Sequence, residues 1–304
     1  MKRTVLALCV FLVACSSKKE VPGPRVDPTL LSLIPGDAVT LSGVRLEEMQ
    51  KTPVFQKVEK LPVLGFVDEF AKQTQIDPRK NLWELLYIGD GKHSAIAARG
   101  KFSDESEPRF PGGGSRFSYR GTNLVGDESN AILLLNPTTF AMGETVLLKK
   151  MIDAKDTSRG IPPALAALTK DVPRESQFWG VYTGGPAKIP FELPGNLANL
   201  NRIASSIQTT TFTVDLRTGL NAWVAAVCTS QADAQQTEAA LKAAIGLGRL
   251  STPSNQPDLQ RVFDSMRVTQ QDATAKFYLD LAPELIDKAT ALLPQFPALR
   301  GQPK

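Results

Sequence analysis

Residues 210–228 read TTFTVDLRTGLNAWVAAVC. Phe212, Val214 and Leu216 alternate with Thr213, Asp215 and Arg217, the period-two pattern of a strand with one face toward a core. Thr218-Gly219 supplies a turn, and LNAWVAAVC continues as a second, almost wholly apolar strand. Two adjoining strands of this kind predict an antiparallel hairpin.

Working outward, Ser230 is placed to cap an alanine-rich helix, SQADAQQTEAALKAAIGLG. A short helix around Asp258 to Ser265 follows, then the alternation of Ala275, Phe277, Leu279 and Leu281 within RVTQQDATAKFYLDL, and a helix from Pro283 to Leu292. Upstream stand the strand QFWGVYT (Gln177 to Thr183) and a helix from Gly195 to Ile207. The order strand, helix, strand, strand, helix, strand is the βαββαβ pattern of the ferredoxin-like class.

The first half begins in the same way. Ala38 to Val44 (AVTLSGV) predicts a strand, Leu46 to Gln75 a mainly helical stretch broken near Pro62, with Leu64, Val67, Phe70 and Ala71 facing a core. Asp77-Pro78 starts a further helical turn. LWELLYI and HSAIAARGKF flank Asp90-Gly91, a strong hairpin signal. A glycine-rich break, SDESEPRFPGGGSRF, comes next; FSYRGTNLV, AILLLN and TTFAMG read as strands, and Glu144 to Ala154 and Pro162 to Thr169 as helices. The expected fold is therefore α+β: two related units with mainly antiparallel sheets and helices packed on them, spanning 29–172 and 173–304, the second ferredoxin-like and the first a modified version.

Composition bounds the chemistry. Of 304 residues, 42% are hydrophobic and 22% charged, ordinary globular values. No cluster of Lys and Arg interleaved with aromatics appears, which argues against nucleic acid as a partner. His93 is the one histidine, so sites built on two or three histidines are excluded, and no Gly-x-Ser-x-Gly elbow supplies a nucleophile. Pro111 to Arg116 (PGGGSR) lacks the Lys-Ser/Thr and the following helix that a phosphate loop requires. Glu47-Glu48, Asp68-Glu69 and the group Asp104, Glu105, Glu107 read as solvated charge rather than a glycosidase pair. Asp127 and Glu128 lack calcium-loop spacing. Cys228, in an apolar run, reads as a small buried hydrophobe. Phe66, Trp83, Phe178, Trp179, Tyr182, Trp223 and Phe277 read mainly as core, with a ligand groove as the other reading. AILLLN and AWVAAVC are apolar on both faces, so each needs cover on both. No catalytic residue, cofactor or metal site is assigned, and an enzyme is not expected.

The N-terminus carries the most specific signal. Lys2 and Arg3 precede an apolar segment, Thr4 to Ala14, of secretory-signal length; a membrane-spanning helix needs about 20 residues. Leu12-Val13-Ala14-Cys15 resembles the lipobox of bacterial lipoproteins. That resemblance implies removal of 1–14 and attachment of diacylglycerol to the Cys15 thiol, and Ser16 after the cysteine favours the outer membrane, with the body facing the periplasm or the cell surface. Residues 15–28 would then form a flexible tether, SSKKEVPGPRVDP after the cysteine, leaving about 276 residues of body. Loss of Lys2 and Arg3 lowers the formal charge from +4 to +2, and with Cys9 removed and Cys15 acylated no internal disulfide is left to form. The body is also similar to uncharacterised bacterial exported proteins in Ile34 to Gln56 (IPGDAVTLSGVRLEEMQKTPVFQ), Ile76 to Leu86 (IDPRKNLWELL) and Ala98 to Phe102 (ARGKF), which implies a shared fold and no activity. The expected partners are the membrane through Cys15, other envelope proteins, and an apolar small molecule in the alternative carrier reading; an envelope hydrolase is the weakest.

Overall fold

The computed structural model describes residues 23–59, 68, 71–72, 76–102, 114–185 and 203–292. The fold is α+β, built on a twelve-stranded sheet whose order is β11-β12-β10-β9-β8-β1-β2-β3-β7-β6-β5-β4. The strands are β1 (Thr40–Val44), β2 (Leu82–Gly89), β3 (Ser94–Gly100), β4 (Ser115–Tyr119), β5 (Thr122–Gly126), β6 (Asn130–Asn136), β7 (Thr139–Glu144), β8 (Phe178–Thr183), β9 (Ile207–Asp215), β10 (Leu220–Cys228), β11 (Met266–Gln271) and β12 (Thr274–Leu281). Each neighbouring pair is antiparallel.

This order corrects the ferredoxin-like expectation. A βαββαβ unit requires parallel crossover neighbours, whereas β8, β9 and β10 run as a meander and β12 adds to β10. The two ranges 29–172 and 173–304 are also joined edge to edge, because β1 pairs on one side with β2 and on the other with β8. Two hairpins account for the difference in strand count. FSYRGTNLV is β4, a turn and β5; Arg120 and Gly121 take φ of 46° and 79°, as a two-residue turn with right-handed strand twist requires. RVTQQDATAKFYLDL turns at Asp272, φ 49°, between β11 and β12. Asn and Asp tolerate this left-handed region better than other side chains, so Asp272 was readable as a turn, while Arg120 gave no such signal and only Gly121 marked the place.

The β1–β8–β9 junction is stitched on both faces. Gly43 and Trp179 are register partners, and the indole lies over the glycine so closely that a Cβ there would come within 2.4 Å of Trp179 Nε1. On the opposite face Gly180 and Phe212 are partners, with the same Cβ test giving 2.3 Å to the Phe212 ring. Absence of a side chain lets a large ring lie flat across the neighbouring strand. Phe178 then meets Phe212 edge to face at 5.0 Å.

Helices cover the sheet unevenly. On the Trp179 face, α1 (Pro28–Leu31), α5 (Thr145–Ala154) and α6 (Pro163–Thr169) close a core of Leu30, Leu41, Leu86, Ile88, Leu133, Leu147 and Leu148. On the other face, α2 (Leu46–Met49) contributes Leu46 to a smaller cluster with Ala98, Phe102, Ile132 and Phe140. α3 (Pro53–Val58), α8 (Pro257–Asp264) and α9 (Pro283–Leu292) close a third on that face, around Val54, Val262, Leu281, Leu285 and Ile286. α4 (Pro78–Asn81) is a single turn capped by Asp77, as its sequence predicts. α7 (Gln231–Leu250) is capped by Ser230, whose hydroxyl accepts the Asp233 N–H at 3.1 Å. Only Ala234 and Thr237 of α7 are buried, because alanine offers a packing stripe with little area.

Cys15, Leu64, Phe66, Val67, Phe70, Glu69, Asp104, Glu105, Glu107, and 195–202 of the expected Gly195 to Ile207 helix lie outside the described residues. Of that helix, 203–206 are helical, and Ile207 opens β9 instead. No described helix is long and apolar enough to cross a membrane.

Candidate binding cleft

Charged residues set into otherwise apolar strands build the most distinctive site. Glu84 interrupts LWELLYI on β2 and Arg99 ends AIAAR on β3, and the two are register partners. Arg45 follows β1 directly; its N–H donates to the Gln177 carbonyl at 2.7 Å, which fixes the chain just before α2. One turn of α2 then brings Glu48 back over the Arg45 guanidinium, and the two form an ion pair. The start of the described chain closes the site: Asp27 pairs with Arg99, its N–H donates to Glu84 Oε1 at 3.2 Å, and its Oδ1 caps α1 by accepting the Thr29 N–H at 2.8 Å. Arg25 reaches Glu48 at 2.7 Å.

These groups, with Glu47 and Trp83, line a cleft of about 310 Å³. Arg45 is only 6% exposed, with Nη1 donating to the Arg174 carbonyl at 3.0 Å. Its Nε and that of Arg99 are both buried without a hydrogen-bond partner. A buried donor left unmade costs about 1–3 kcal/mol, and both belong to side chains that line the cleft. Burial pushes the Glu84 carboxyl above its usual pKa, with the Asp27 carboxylate adding to the rise against the Asp27 N–H and the two arginines. Burial likewise lowers Arg45, and the Arg25 charge adds to it. The Arg99 guanidinium stands 5.5 Å from the centroid of the Trp83 ring, within cation–π range.

Sequence reasoning singled out Trp83 and the Glu47-Glu48 pair here, but neither Arg45, Glu84 nor Arg99. The pair divides: Glu47 is solvated charge, bonded to Lys51 at 2.8 Å, while Glu48 turns to the arginines. The missed signal was a carboxylate or guanidinium at a core-facing strand position, where a lone charge is costly unless partnered.

The other candidates separate into structural roles. His93 lies in the hairpin turn, its Nδ1 3.2 Å from Asp90 Oδ2, and borders an open cavity of about 520 Å³ with Ser129, Asn130, Glu128 and Glu144. Asp90 accepts from Lys150 Nζ at 2.7 Å and from the His93 and Lys92 N–H groups at 2.7 and 2.9 Å. Burial works to raise its pKa, and those donors outweigh it, holding the carboxyl well below the usual range. Asp127 is the hub of a loop, accepting the Ser129 and Asn130 N–H groups. Asp68 pairs with Arg79. Ser115 and Arg116 open β4, a strand and not a helix, so the glycine-rich segment does not present its last residues as a phosphate loop does. Cys228 is buried, its sulfur 3.8 Å from Thr237 Oγ1. Trp179 is core, while Phe178, Tyr182, Trp223 and Phe277 are half-buried. Among the described residues no group of three His, Cys, Asp or Glu side chains could hold a metal ion.

No protein-family model matches this chain, and no curated protein matches it. Among solved structures it is similar to TP0453: crystal form III aligns with a TM-score of 0.47 and 9% identity over 88% of this chain and 99% of that one. Crystal form I gives a TM-score of 0.47 and 10% identity over 88% and 98%. At this distance the likeness carries nothing about activity.

Proposed function

We propose that this chain is a lipid-anchored, non-enzymatic binding module of the bacterial cell envelope, held in the outer membrane through Cys15 and using the Arg45–Arg99 cleft as its binding site. One observation carries the reading: the cleft, with the buried Arg45 in its lining, is built against Arg25 to Pro28, near the start of the described residues. An anchor at Cys15 would hold that cleft close to the membrane surface. Arg25 is ten positions beyond Cys15, and an extended chain of that length spans about 35 Å at most. Two or more acyl chains hold a protein stably where one does not.

The test has two parts. Feeding cells a clickable fatty acid should label the wild-type chain and not Cys15→Ala, and a photo-crosslinker at Glu47, on the rim of the cleft, should capture defined envelope components in the wild type. An unlabelled wild-type chain overturns the anchor. Capture unchanged by Arg45→Ala, in a protein shown to be folded, overturns the assignment of the cleft.

A second reading, a carrier of lipid or another apolar molecule, draws on one feature. A row of register partners, Ile132, Met142, Ile96, Tyr87, Ser42, Gly180, Phe212, Val224, Phe277 and Val268, crosses the sheet on the Phe212 face. Its middle is open, with Tyr87 39% and Ile96 36% exposed. Native mass spectrometry of detergent-free protein distinguishes the two: an excess mass removed by organic extraction supports a carrier, and a clean apo mass counts against it.

A further inference from the structure

We infer that the cleft recognises a zwitterionic group: an acidic phosphoryl or carboxyl taken by Arg45 and Arg99, with an ammonium held by Glu48 beside Trp83. The inference deepens the binding-module reading and rests on it for the choice of site. Charge balance decides the ligand class. Arg25, Arg45 and Arg99 are set against Asp27, Glu47, Glu48 and Glu84. Lys51, paired with Glu47 at 2.8 Å, brings the cations level with the four carboxylates, and an anion alone would tip that balance. A cation alone would meet Arg45 and Arg99 in the lining and offer neither guanidinium an acceptor. A ligand carrying both signs offers the guanidiniums an acceptor and keeps the sum unchanged.

Size and exposure agree. The volume of about 310 Å³ lies at the small end of ligand pockets and suits a headgroup or an amino acid rather than a protein element. The carboxylate that would take the ammonium, Glu48, is 41% exposed at its side chain. The guanidinium of Arg45, by contrast, is fixed by the Arg174 carbonyl. An entering acidic oxygen replaces Glu48 as the partner of Arg45 and frees that carboxylate to turn toward the ammonium. Trp83 already attracts one cation, Arg99, and its ring offers the same attraction to an ammonium. Two sources share this chemistry: a zwitterionic phospholipid headgroup in the membrane, and a free small zwitterion.

The test is calorimetric titration of the purified full chain with glycerophosphoethanolamine, beside glycerol phosphate and ethanolamine as its two halves. The expected result is binding of the whole and about tenfold or greater weakening for either half, the scale of one lost charged hydrogen bond. Arg45→Lys, which keeps the charge and loses the fork, should weaken binding by a similar factor. Trp83→Ala, at a half-exposed ring, should weaken it several-fold while circular dichroism and melting stay near wild type, so that a folding defect in the first variant leaves the question answerable. Absence of heat with the zwitterion, or equal binding of glycerol phosphate, overturns the inference. Competition by phosphatidylethanolamine vesicles and not by phosphatidylglycerol vesicles assigns a lipid source; failure of both to compete assigns a free one. The titration repeated on Cys15→Ala separates this inference from the anchor: binding retained without fatty-acid labelling of the wild type would sink the anchor alone.

Discussion

Strands β6 and β10 have nearly the same apolar character and very different surroundings. In β6, Ala131 and Leu133 point into the large core of the Trp179 face and Ile132 into the smaller cluster opposite, each at most 3% exposed. In β10 only Ala226 and Cys228 are buried. The described helices over that end of the sheet, α7, α8 and α9, serve the face of Cys228 and Leu281. Across it Trp223, Ala225 and Val227 are half-buried beside Thr211 and Tyr278. Apolar composition shows that a strand is able to be buried on both faces. Whether it is buried depends on which helices reach it.

Substitutions at the junction should have the largest effects, because both ends of the sheet depend on it. Trp179→Ala removes a side chain 1% exposed and should cost about 3–5 kcal/mol. Gly43→Val, which pushes a branched side chain into that indole, should lower the urea midpoint comparably, with loss of the native tryptophan emission. A wild-type midpoint for Gly43→Val would show that the ring does not lie on the glycine.

The contrast between the two strands is sharpened by one pair of variants. Leu133→Ala should cost about 2–5 kcal/mol, against less than about 1.5 kcal/mol for Val227→Ala, the smaller deletion at a less buried site. Their urea midpoints, at unchanged slope, measure it. Equal costs would mean that β10 is as closed as β6.

The Asp90 cluster gives a smaller effect with a pH signature. Its folded pKa lies below the unfolded one, so its contribution is present above the usual Asp value of about 3.9 and disappears as pH falls below that toward the folded value. Asp90→Asn should cost about 1–3 kcal/mol at pH 7, the range for a charged hydrogen-bond hub. Melting temperatures of the mutant should converge on wild type as pH drops through 4 and below. Glu84 has the opposite sign: its folded pKa is raised, so its ionisation opposes folding at neutral pH. Glu84→Gln should be neutral to stabilising at pH 7, with the difference vanishing below pH 4. At the end of α7, Leu247 and Leu250 are 65% and 84% exposed, and Leu250→Ser should stay within about 0.5 kcal/mol of wild type.

What could be read before folding was local. The cap at Ser230, the Asp77-Pro78 turn, the Asp90-Gly91 hairpin and the alternation in β9 and β12 are set by residues within a few positions of each other, and all are found where the sequence puts them. Arg120-Gly121 is equally local, but its non-glycine residue lies outside the usual preference for positive φ, so FSYRGTNLV reads as one strand where the fold has a hairpin. The cleft was illegible for a different reason. Its residues come from three separate stretches, around Arg25, Arg45 and Glu84 to Arg99, and each charge looks like an ordinary surface group until the others are beside it.

The sequence by itself determined the α+β class, the positions of most strands and helices, and the burial of Cys228, because periodicity and capping act over one or two turns of chain. Only the tertiary structure decided that β1 meets β8, some 140 residues away, merging two expected units into one sheet. That pairing needs Gly43 to admit the Trp179 ring, a complementarity between partners that no single stretch of the chain contains.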